Sequence, residues 1–253
     1  MSAKTIIVTG ASRGIGYAVA KYLLTCTPRN NVVLLARTED SMRALKESHP
    51  DQVEYIAGDI SDHSLGEKAV KLAVSKFGRL DGLVLNHGTL GQVAFIANAD
   101  IEQWKSGFDV NFFSLVSFTK AALPALRESK GRIIFTSSGA AVSGYHSWGL
   151  YGATKAAMNH LALTLSTEEP DVTSVSVRPG MVDTEMQREI REEHQTNMPP
   201  EAYKKFDEAH KNAKLLKPEV PGHIIARLVL DAPKKLSGRF INWNDEELAV
   251  FRN

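Results

Sequence analysis

A chain of 253 residues, 43% of them hydrophobic and 23% charged, has the size and composition of one large globular domain or two small ones. Its formal net charge of +1 gives no electrostatic reason to expect a nucleic-acid or membrane partner. The single cysteine, Cys26, excludes an internal disulfide and is typical of a reducing compartment.

Two further features favour a cytoplasmic location. The first residues lead straight into an apolar run at Thr5, which leaves no room for a signal peptide. No apolar run approaches the roughly 20 residues that a membrane helix needs. Cys26 falls near the end of the first predicted helix, where we interpret it as a small buried residue rather than a reactive thiol.

The first predicted strand, Thr5–Thr9, is apolar and β-branched, as buried parallel strands are. Gly10, Gly14 and Gly16 follow it, and a helix is predicted over 17–24. Such a turn lets the backbone approach a phosphate at the helix N-terminus. The spacing differs from the shorter dinucleotide fingerprint, so a plain loop is the alternative to cofactor binding. Within the turn, the further candidate contacts are Ser12, Arg13 and Ile15.

The second predicted strand, 31–36, ends on Arg37, at the point where dinucleotide-binding folds read the adenosine ribose. An acid there would accept from a 2′-hydroxyl and prefer NAD, whereas Arg37 can pair with a 2′-phosphate. Arg13 can reach the same phosphate. Two arginines without an acid predict NADP(H) as the cofactor, and solvated surface arginines are the alternative.

The third and fourth predicted strands, 53–57 and 82–85, each end in polar residues. After the third, Asp59 and its neighbour Ile60 are placed to contact adenine, although Asp59 can also cap the following helix. After the fourth comes Asn86-His87-Gly88. We assign His87 a local structural role. Helices are predicted over 38–48 and 61–77.

One long helix is predicted over 101–127, apolar on most of its surface. This pattern indicates burial between the sheet and another subunit. Asn111, in its middle, must find hydrogen-bond partners, either as an ordinary core residue or by holding a water near Lys155.

A carbonyl-handling site is predicted around Ser138, Tyr151 and Lys155. Ser138 follows the strand 133–136, and Tyr151 and Lys155 are four apart on a helix predicted over 147–168, which puts them on one face. Ser138 would hold the oxygen, Tyr151 would pass the proton, and the Lys155 cation would lower the pKa of Tyr151. Alone, Tyr-x-x-x-Lys is a weak signal.

After a sixth strand, 173–177, Pro179-Gly180 forces a turn at the edge where ligands bind in parallel sheets. The polar stretch 185–217 is interpreted as a substrate lid, with a poorly ordered surface excursion as the alternative. A helix over 221–230 and a strand over 238–242 complete the chain. The candidate pocket walls, each of which can equally be plain packing, are Tyr145, Trp148, Met181 and Met186.

The alternation of strands and helices predicts an α/β fold: a doubly wound parallel sheet of seven strands with helices on both faces. No repeat, linker or composition break divides residues 1–253, so we expect a single domain.

These motifs resemble the short-chain dehydrogenase/reductase family over nearly the whole chain. The resemblance implies a Rossmann fold and a catalytic tetrad of Asn111, Ser138, Tyr151 and Lys155. The residues that match the family's cofactor motifs are Gly10, Gly14, Gly16, Asp59, Asn86, Gly88, Pro179, Gly180, Val182 and Thr184. Leu85 and His87 depart from the Asn-Asn-Ala-Gly element, which puts the bracing of that loop in doubt.

Within the family, the chain looks most like the sepiapterin reductase and benzil reductase branch. Sepiapterin reductases hold the pterin with an acidic residue near the C-terminus. The alignment places Asn242 at that position, an amide instead of an acid, which favours a diketone or general carbonyl substrate over a pterin. By analogy we expect a homodimer formed through the helices at 101–127 and 147–168, with a tetramer as the second choice.

Two other functions stay open: an NADP-linked alcohol or sugar dehydrogenase working oxidatively, and a non-catalytic NADP-binding sensor or scaffold.

Overall fold

The computed structural model describes residues 3–252. The prediction that there is no signal peptide was based partly on Met1 and Ser2, which lie outside the described residues. None of the helices between residues 3 and 252 combines the length and the hydrophobicity that a membrane span requires.

Seven parallel strands form one sheet in the order β3-β2-β1-β4-β5-β6-β7, which confirms the predicted doubly wound arrangement. The chain order reverses between β1 and β4, so a crevice opens at the carboxyl edge of these two strands. The strands are β1 Thr5–Thr9, β2 Asn31–Ala36, β3 Val53–Ala57, β4 Gly82–Leu85, β5 Arg132–Thr136, β6 Thr173–Arg178 and β7 Phe240–Asn242.

Helices cover both faces of the sheet because residues along each buried strand alternate between two cores. Ile6 and Val8 pack on one side with α1 and α9, whereas Ile7 packs on the other with α3, α5 and α6. The helices are α1 Gly14–Thr25, α2 Asp40–Ser48, α3 Leu65–Phe77, α4 Ile101–Phe108, α5 Ser114–Ser129, α6 Gly149–Glu168, α7 Glu185–Glu192, α8 Pro200–Lys211 and α9 Glu219–Asp231.

The prediction of one continuous helix over 101–127 is wrong. A π-helical turn, Asp109–Phe113, interrupts it, and the backbone N–H of Ser114 bonds to the carbonyl of Asp109, five residues back. The Ser114 hydroxyl donates to the Val110 carbonyl at 2.7 Å. Asn111 lies within this turn, and its side chain is buried.

The helix predicted from residue 61 begins only at Leu65. Asp59 accepts hydrogen bonds from the backbone and hydroxyl of Ser61, and Asp62 does the same with Ser64. These two local turns compete with helical hydrogen bonding and delay the start of α3.

The stretch 185–217 packs against the body of the protein. It contains α7 and α8, and its end is joined to the loop after β6 by reciprocal backbone bonds: Leu216 N to Met181 O and Asp183 N to Leu216 O, both 2.8 Å. Ile190 and Phe206 are buried in a third hydrophobic cluster with Tyr151. The segment therefore covers the carboxyl edge of the sheet near the predicted catalytic tyrosine.

Candidate active site

The loops that leave β1, β4, β5 and β6 meet at one edge of the sheet, since the carboxyl ends of parallel strands share an edge. This arrangement brings the glycine turn, the 86–88 loop, Ser138 and the Pro179-Gly180 turn together. All four were predicted from the sequence to belong to one site.

The glycine turn has the shape that an anion needs. Gly10 and Gly14 have left-handed backbone angles, φ +64° and +55°, and a Cβ at Gly16 would lie 2.3 Å from the Gly10 carbonyl oxygen. Helix α1 starts here with no side-chain cap and no acidic residue in its first turn. Its N-terminal N–H groups are thus available to a phosphate, and the residues present fit a dinucleotide cofactor.

The two arginines predicted to read the ribose phosphate are exposed. Arg13 immediately precedes α1, and Arg37 follows the last residue of β2. Arg37 lies close enough to Asp59 to help lower the pKa of that carboxyl, although hydrogen bonds from the backbone and hydroxyl of Ser61 contribute more. Asp59 therefore forms a local turn with Ser61 and does not cap α3, which begins at Leu65, so its predicted capping role is wrong. Its contact with adenine stays a prediction. Ile60 beside it is buried.

Asn86 ties three neighbouring strands together. Its backbone N–H donates to the Thr9 hydroxyl at 3.0 Å, and its side-chain amide donates to the Gly10 carbonyl at 3.3 Å. Its Oδ1 accepts from the Thr136 hydroxyl at 3.1 Å. The glycine turn after β1 and the end of β5 are therefore held in fixed relation through one residue after β4.

His87 supplies the bracing that the departure from the family motif put in doubt. Its Nδ1 lies 2.7 Å from the Thr9 hydroxyl, and its Nε2 lies 2.8 Å from the Ser114 hydroxyl. Because the Ser114 hydroxyl donates to Val110, it accepts from Nε2, whereas the Thr9 hydroxyl lies within bonding distance of both Nδ1 and the Val84 carbonyl. Burial, assisted by the charge of Lys155, lowers the pKa of His87 to about 3. The structural role predicted for His87 is confirmed: a neutral imidazole joins β1 to the π-turn.

Asn111 is fully engaged within the protein. Its Oδ1 accepts from the backbone N–H of Thr89 at 2.9 Å, and its Nδ2 donates to the Thr89 carbonyl at 2.8 Å and to the Thr154 hydroxyl at 3.2 Å. It is the satisfied core amide that the sequence allowed. A Cβ at Gly88 would lie 3.3 Å from Asn111 Oδ1 and 3.5 Å from Lys155 Nζ, so the backbone of Gly88 lies close to both side chains.

Lys155 is buried, with its Nζ donating to the Thr136 carbonyl at 2.8 Å. Burial lowers the pKa of this ammonium to about 7, so it holds its charge weakly at neutral pH. The Nζ atom lies 5.7 Å from the centre of the Tyr151 ring. The lysine, its carbonyl partner and the phenol thus form one buried unit at the edge of β5.

The expected lowering of the Tyr151 pKa by Lys155 is not met in this structure. Burial raises the pKa of Tyr151 to about 12, and a hydrogen bond with Ser138 opposes the shift only in part. The phenol is 7% exposed, so loss of water outweighs the nearby cation. Tyr151 is therefore protonated at neutral pH. Ser138 begins a short 3₁₀ turn, and its Oγ accepts from the Ala140 N–H at 3.2 Å.

The turn predicted to hold the nicotinamide lies against the glycine turn. Pro179 and Val182 are buried, and Gly180 has φ +83°. A Cβ at Gly14 would lie 3.2 Å from the Thr184 methyl group, so the two predicted cofactor segments touch.

A stack of aromatic side chains lies beside Tyr151 and forms one wall of the candidate active site. The Trp148 ring lies between Tyr145 and Phe206, at centroid distances of 5.3 and 5.1 Å, and meets the edge of Tyr151 at 5.6 Å. Met181 and Met186 pack against the same cluster. All four residues predicted as pocket walls therefore belong to the hydrophobic cluster that contains Tyr151, and Trp148 contacts its ring. Sequence reasoning missed Phe206, which comes from the polar-looking lid.

Comparison with known proteins agrees with this geometry. A family model described as short chain dehydrogenase matches residues 4–195. The benzil reductase ((S)-benzoin forming) IRC24 of Saccharomyces cerevisiae is 42% identical over 256 residues, covering 97% of both chains. Mouse sepiapterin reductase is 33% identical over 226 residues, covering 83% of this chain and 85% of that protein.

Solved structures give the same result. The crystal structure of YIR035C, a short-chain dehydrogenase/reductase from S. cerevisiae, superposes with a TM-score of 0.96 at 40% identity, covering 99% of this chain and 100% of that chain. The chain belongs to the short-chain dehydrogenase/reductase family and is an oxidoreductase. The family uses a nicotinamide cofactor, which suits the glycine turn described above.

The neutral state of His87 predicts a specific pH dependence of stability. An unfolded histidine, with a pKa near 6.5, takes up a proton that folded His87 refuses until about pH 3, so stability is lost as the pH falls through this window. Between pH 7 and 5.5 the wild type should lose about 1 kcal/mol more unfolding free energy than His87→Gln.

Urea unfolding at the two pH values measures this difference. His160→Gln, on the exposed side of α6, is the matched control and should keep the wild-type slope. Equal slopes for wild type and His87→Gln would show that folded His87 takes up a proton as readily as the unfolded residue, which would contradict the lowered pKa.

Proposed function

We propose that the protein is an NADPH-dependent carbonyl reductase that converts a ketone or α-diketone to an alcohol. One observation carries this proposal: a buried tyrosine, protonated at neutral pH, sits beside a serine hydroxyl and a lysine ammonium under an aromatic wall. A reductase must deliver a proton to the developing alkoxide, and this phenol is poised to do so.

Ser138 and Tyr151 donate hydrogen bonds to the substrate oxygen and so hold the carbonyl group beside the aromatic cluster. As the carbonyl is reduced, the O–H bond of Tyr151 breaks and a new O–H bond forms on the substrate. The phenolate left behind is stabilised by Ser138 and by the cation of Lys155. Asn111, whose side chain bonds to Thr89 and Thr154, supports a proton relay through water near Lys155.

NADPH, when bound, supplies the hydride that reduces the carbonyl carbon. Gly10, Gly14 and Gly16 would hold its pyrophosphate, and Lys155 the ribose beside the nicotinamide. The segment that begins at Pro179 would hold the carboxamide. Its contact with the glycine turn through Thr184 supports this assignment.

The preference for NADPH over NADH rests on Arg13 and Arg37. Both are exposed at the adenosine end of the site, and the residue after β2 is an arginine, not an acid. A 2′-phosphate offers them charge-assisted hydrogen bonds, which a 2′-hydroxyl cannot match.

The same groups serve reduction and the reverse oxidation, so an activity comparison across pH and cofactor redox state separates the reductase from the oxidative alternative. A sepiapterin-like substrate is less favoured, because the Asn242 amide donates to the carboxylate of Asp245 at 3.1 Å. A non-catalytic scaffold would be expected if Ser138, Tyr151 or Lys155 were missing, and all three are present.

We further propose a cytoplasmic homodimer. Three apolar side chains near the predicted interface are exposed: Phe113, just before α5, by 48%, Val116 on α5 by 38%, and Leu163 on α6 by 52%. Exposed apolar side chains of this kind suit contact with a second copy of the chain. A tetramer is the second choice. The single cysteine favours the cytoplasmic location.

Tyr151→Phe removes the proton donor and keeps the ring. Turnover should fall at least roughly 100-fold, as expected when a general acid is lost, while NADPH binding stays nearly unchanged. Steady-state assays and NADPH fluorescence titration measure the two quantities. Tyr55→Phe, in β3, is the control. Retained turnover in Tyr151→Phe would disprove the proton-donor assignment.

Arg37→Asp should raise the KM for NADPH roughly 10- to 100-fold and leave that for NADH nearly unchanged, since only NADPH carries the phosphate. Arg29→Asp makes the same charge change at another exposed arginine and should affect neither cofactor. If both cofactors weaken equally in Arg37→Asp, Arg37 does not contact the phosphate.

Leu163→Asp should convert the dimer to a monomer in sedimentation velocity, because burying an unpaired carboxylate in an apolar interface is costly. Val250→Asp, 78% exposed elsewhere, should leave the dimer intact. A monomeric wild type would remove the proposed interface.

A further inference from the structure

Arg178 is the last residue of β6 and lies at the same sheet edge as Ser138. Its side chain is half-buried, and within residues 3–252 it forms no hydrogen bond or ion pair. Among the other half-buried arginines of residues 3–252, Arg132 pairs with Asp231 and Arg227 donates to the Tyr22 hydroxyl, whereas Arg191 on α7 also has no side-chain partner. A guanidinium stays charged at any physiological pH, so an unpartnered one that is partly removed from water is poised for an anion.

The guanidinium lies against Gly139, the residue after Ser138. A Cβ at Gly139 would lie 2.9 Å from Cζ, Nε and Nη2 of Arg178, so the planar group packs on the bare backbone of the glycine. A larger residue there would displace the arginine. The cation therefore lies one residue along the chain from the predicted oxygen-binding hydroxyl.

The guanidinium faces a cavity of about 450 Å³ between the loop 143–146 and the lid helix α8. Tyr145 and Phe206, which flank Trp148 in the aromatic stack, line the cavity with Arg178. Two exposed charges of opposite sign, Lys205 and Glu201, also line it. They offset each other, which leaves Arg178 as the uncompensated charge of the lining.

We propose that Arg178 determines substrate specificity by binding a carboxylate carried by the carbonyl substrate. The preferred substrates are then keto acids whose apolar part lies on the aromatic stack and whose carboxylate accepts paired hydrogen bonds from the guanidinium. The inference rests on the proposed carbonyl reductase function and narrows its substrate class. A neutral second carbonyl would gain less, because it lacks the charge that a guanidinium pairs with most strongly.

Acid and ester pairs test this. Phenylglyoxylate and 4-oxo-4-phenylbutanoate place a carboxylate at two distances from an aryl ketone, and their methyl esters keep the shape without the charge. The wild type should prefer at least one acid over its ester. Arg178→Met should lower kcat/KM for that acid roughly 10- to 100-fold, through KM, and change the ester less than about threefold.

Two further variants sharpen the result. Arg178→Lys should retain part of the preference for the acid, because lysine keeps the positive charge but lacks the paired N–H donors of the guanidinium. Lys204→Met, an exposed lysine outside this cavity, should behave as wild type. Equal losses on acid and ester in Arg178→Met, or a wild type that prefers both esters, would overturn the proposal.

Failure of the inference and failure of the proposed function are distinguishable. A wild type that reduces diketones or aldehydes but neither acid keeps the function and overturns the role of Arg178. If no carbonyl compound is reduced, titration of phenylglyoxylate into the protein–NADPH complex decides, with tryptophan fluorescence as the signal. Saturable quenching that is lost in Arg178→Met supports the carboxylate site, and the absence of quenching overturns it.

Discussion

The site depends on the hydrogen bonds of Asn86, which hold three strand ends in register. Its side chain links the Gly10 carbonyl to the Thr136 hydroxyl, and the carbonyl of Thr136 in turn receives the ammonium of Lys155. The turn that would hold the cofactor phosphates and the lysine beside the catalytic tyrosine are therefore connected through one amide. His87 extends the same brace to the π-turn. A short, buried network of this kind positions catalytic groups more rigidly than loops alone.

Burial sets the chemistry of the groups that this network positions. It raises the pKa of Tyr151 and lowers that of Lys155, so both are driven toward their neutral forms. A neutral phenol can give a proton, which suits reduction. The lid contributes to this burial, because Phe206 from α8 stacks on Trp148, which in turn meets Tyr151. Lid packing and proton transfer are thus linked physically, since exposure of the phenol to water would bring its pKa back toward 10.

Much of this was predictable from the sequence, because strand periodicity and ordered motifs are local signals. The six strand–helix alternations follow from periodicity, whereas the convergence of Ser138, Tyr151 and Lys155 needed the other ordered motifs as well as their spacing. The π-turn was not predictable, since neither its backbone bond from Ser114 to Asp109 nor the contacts of Asn111 with Thr89 leave a local pattern in the sequence. The pKa of Tyr151 was also misjudged, because burial by the lid is a tertiary effect. The position of Arg178 before the Pro-Gly turn was visible in the sequence, but its lack of a partner was not.

The most direct test of the account is NADPH consumption by the purified protein with a panel of benzil, other α-diketones, simple aldehydes and sepiapterin, with NADH in parallel. The account predicts loss of nicotinamide absorbance with the diketones, and much slower loss with NADH. Binding of NADPH with no consumption across the panel would contradict the reductase function. In that case the oxidative and sensor alternatives would become the leading explanations of the same site.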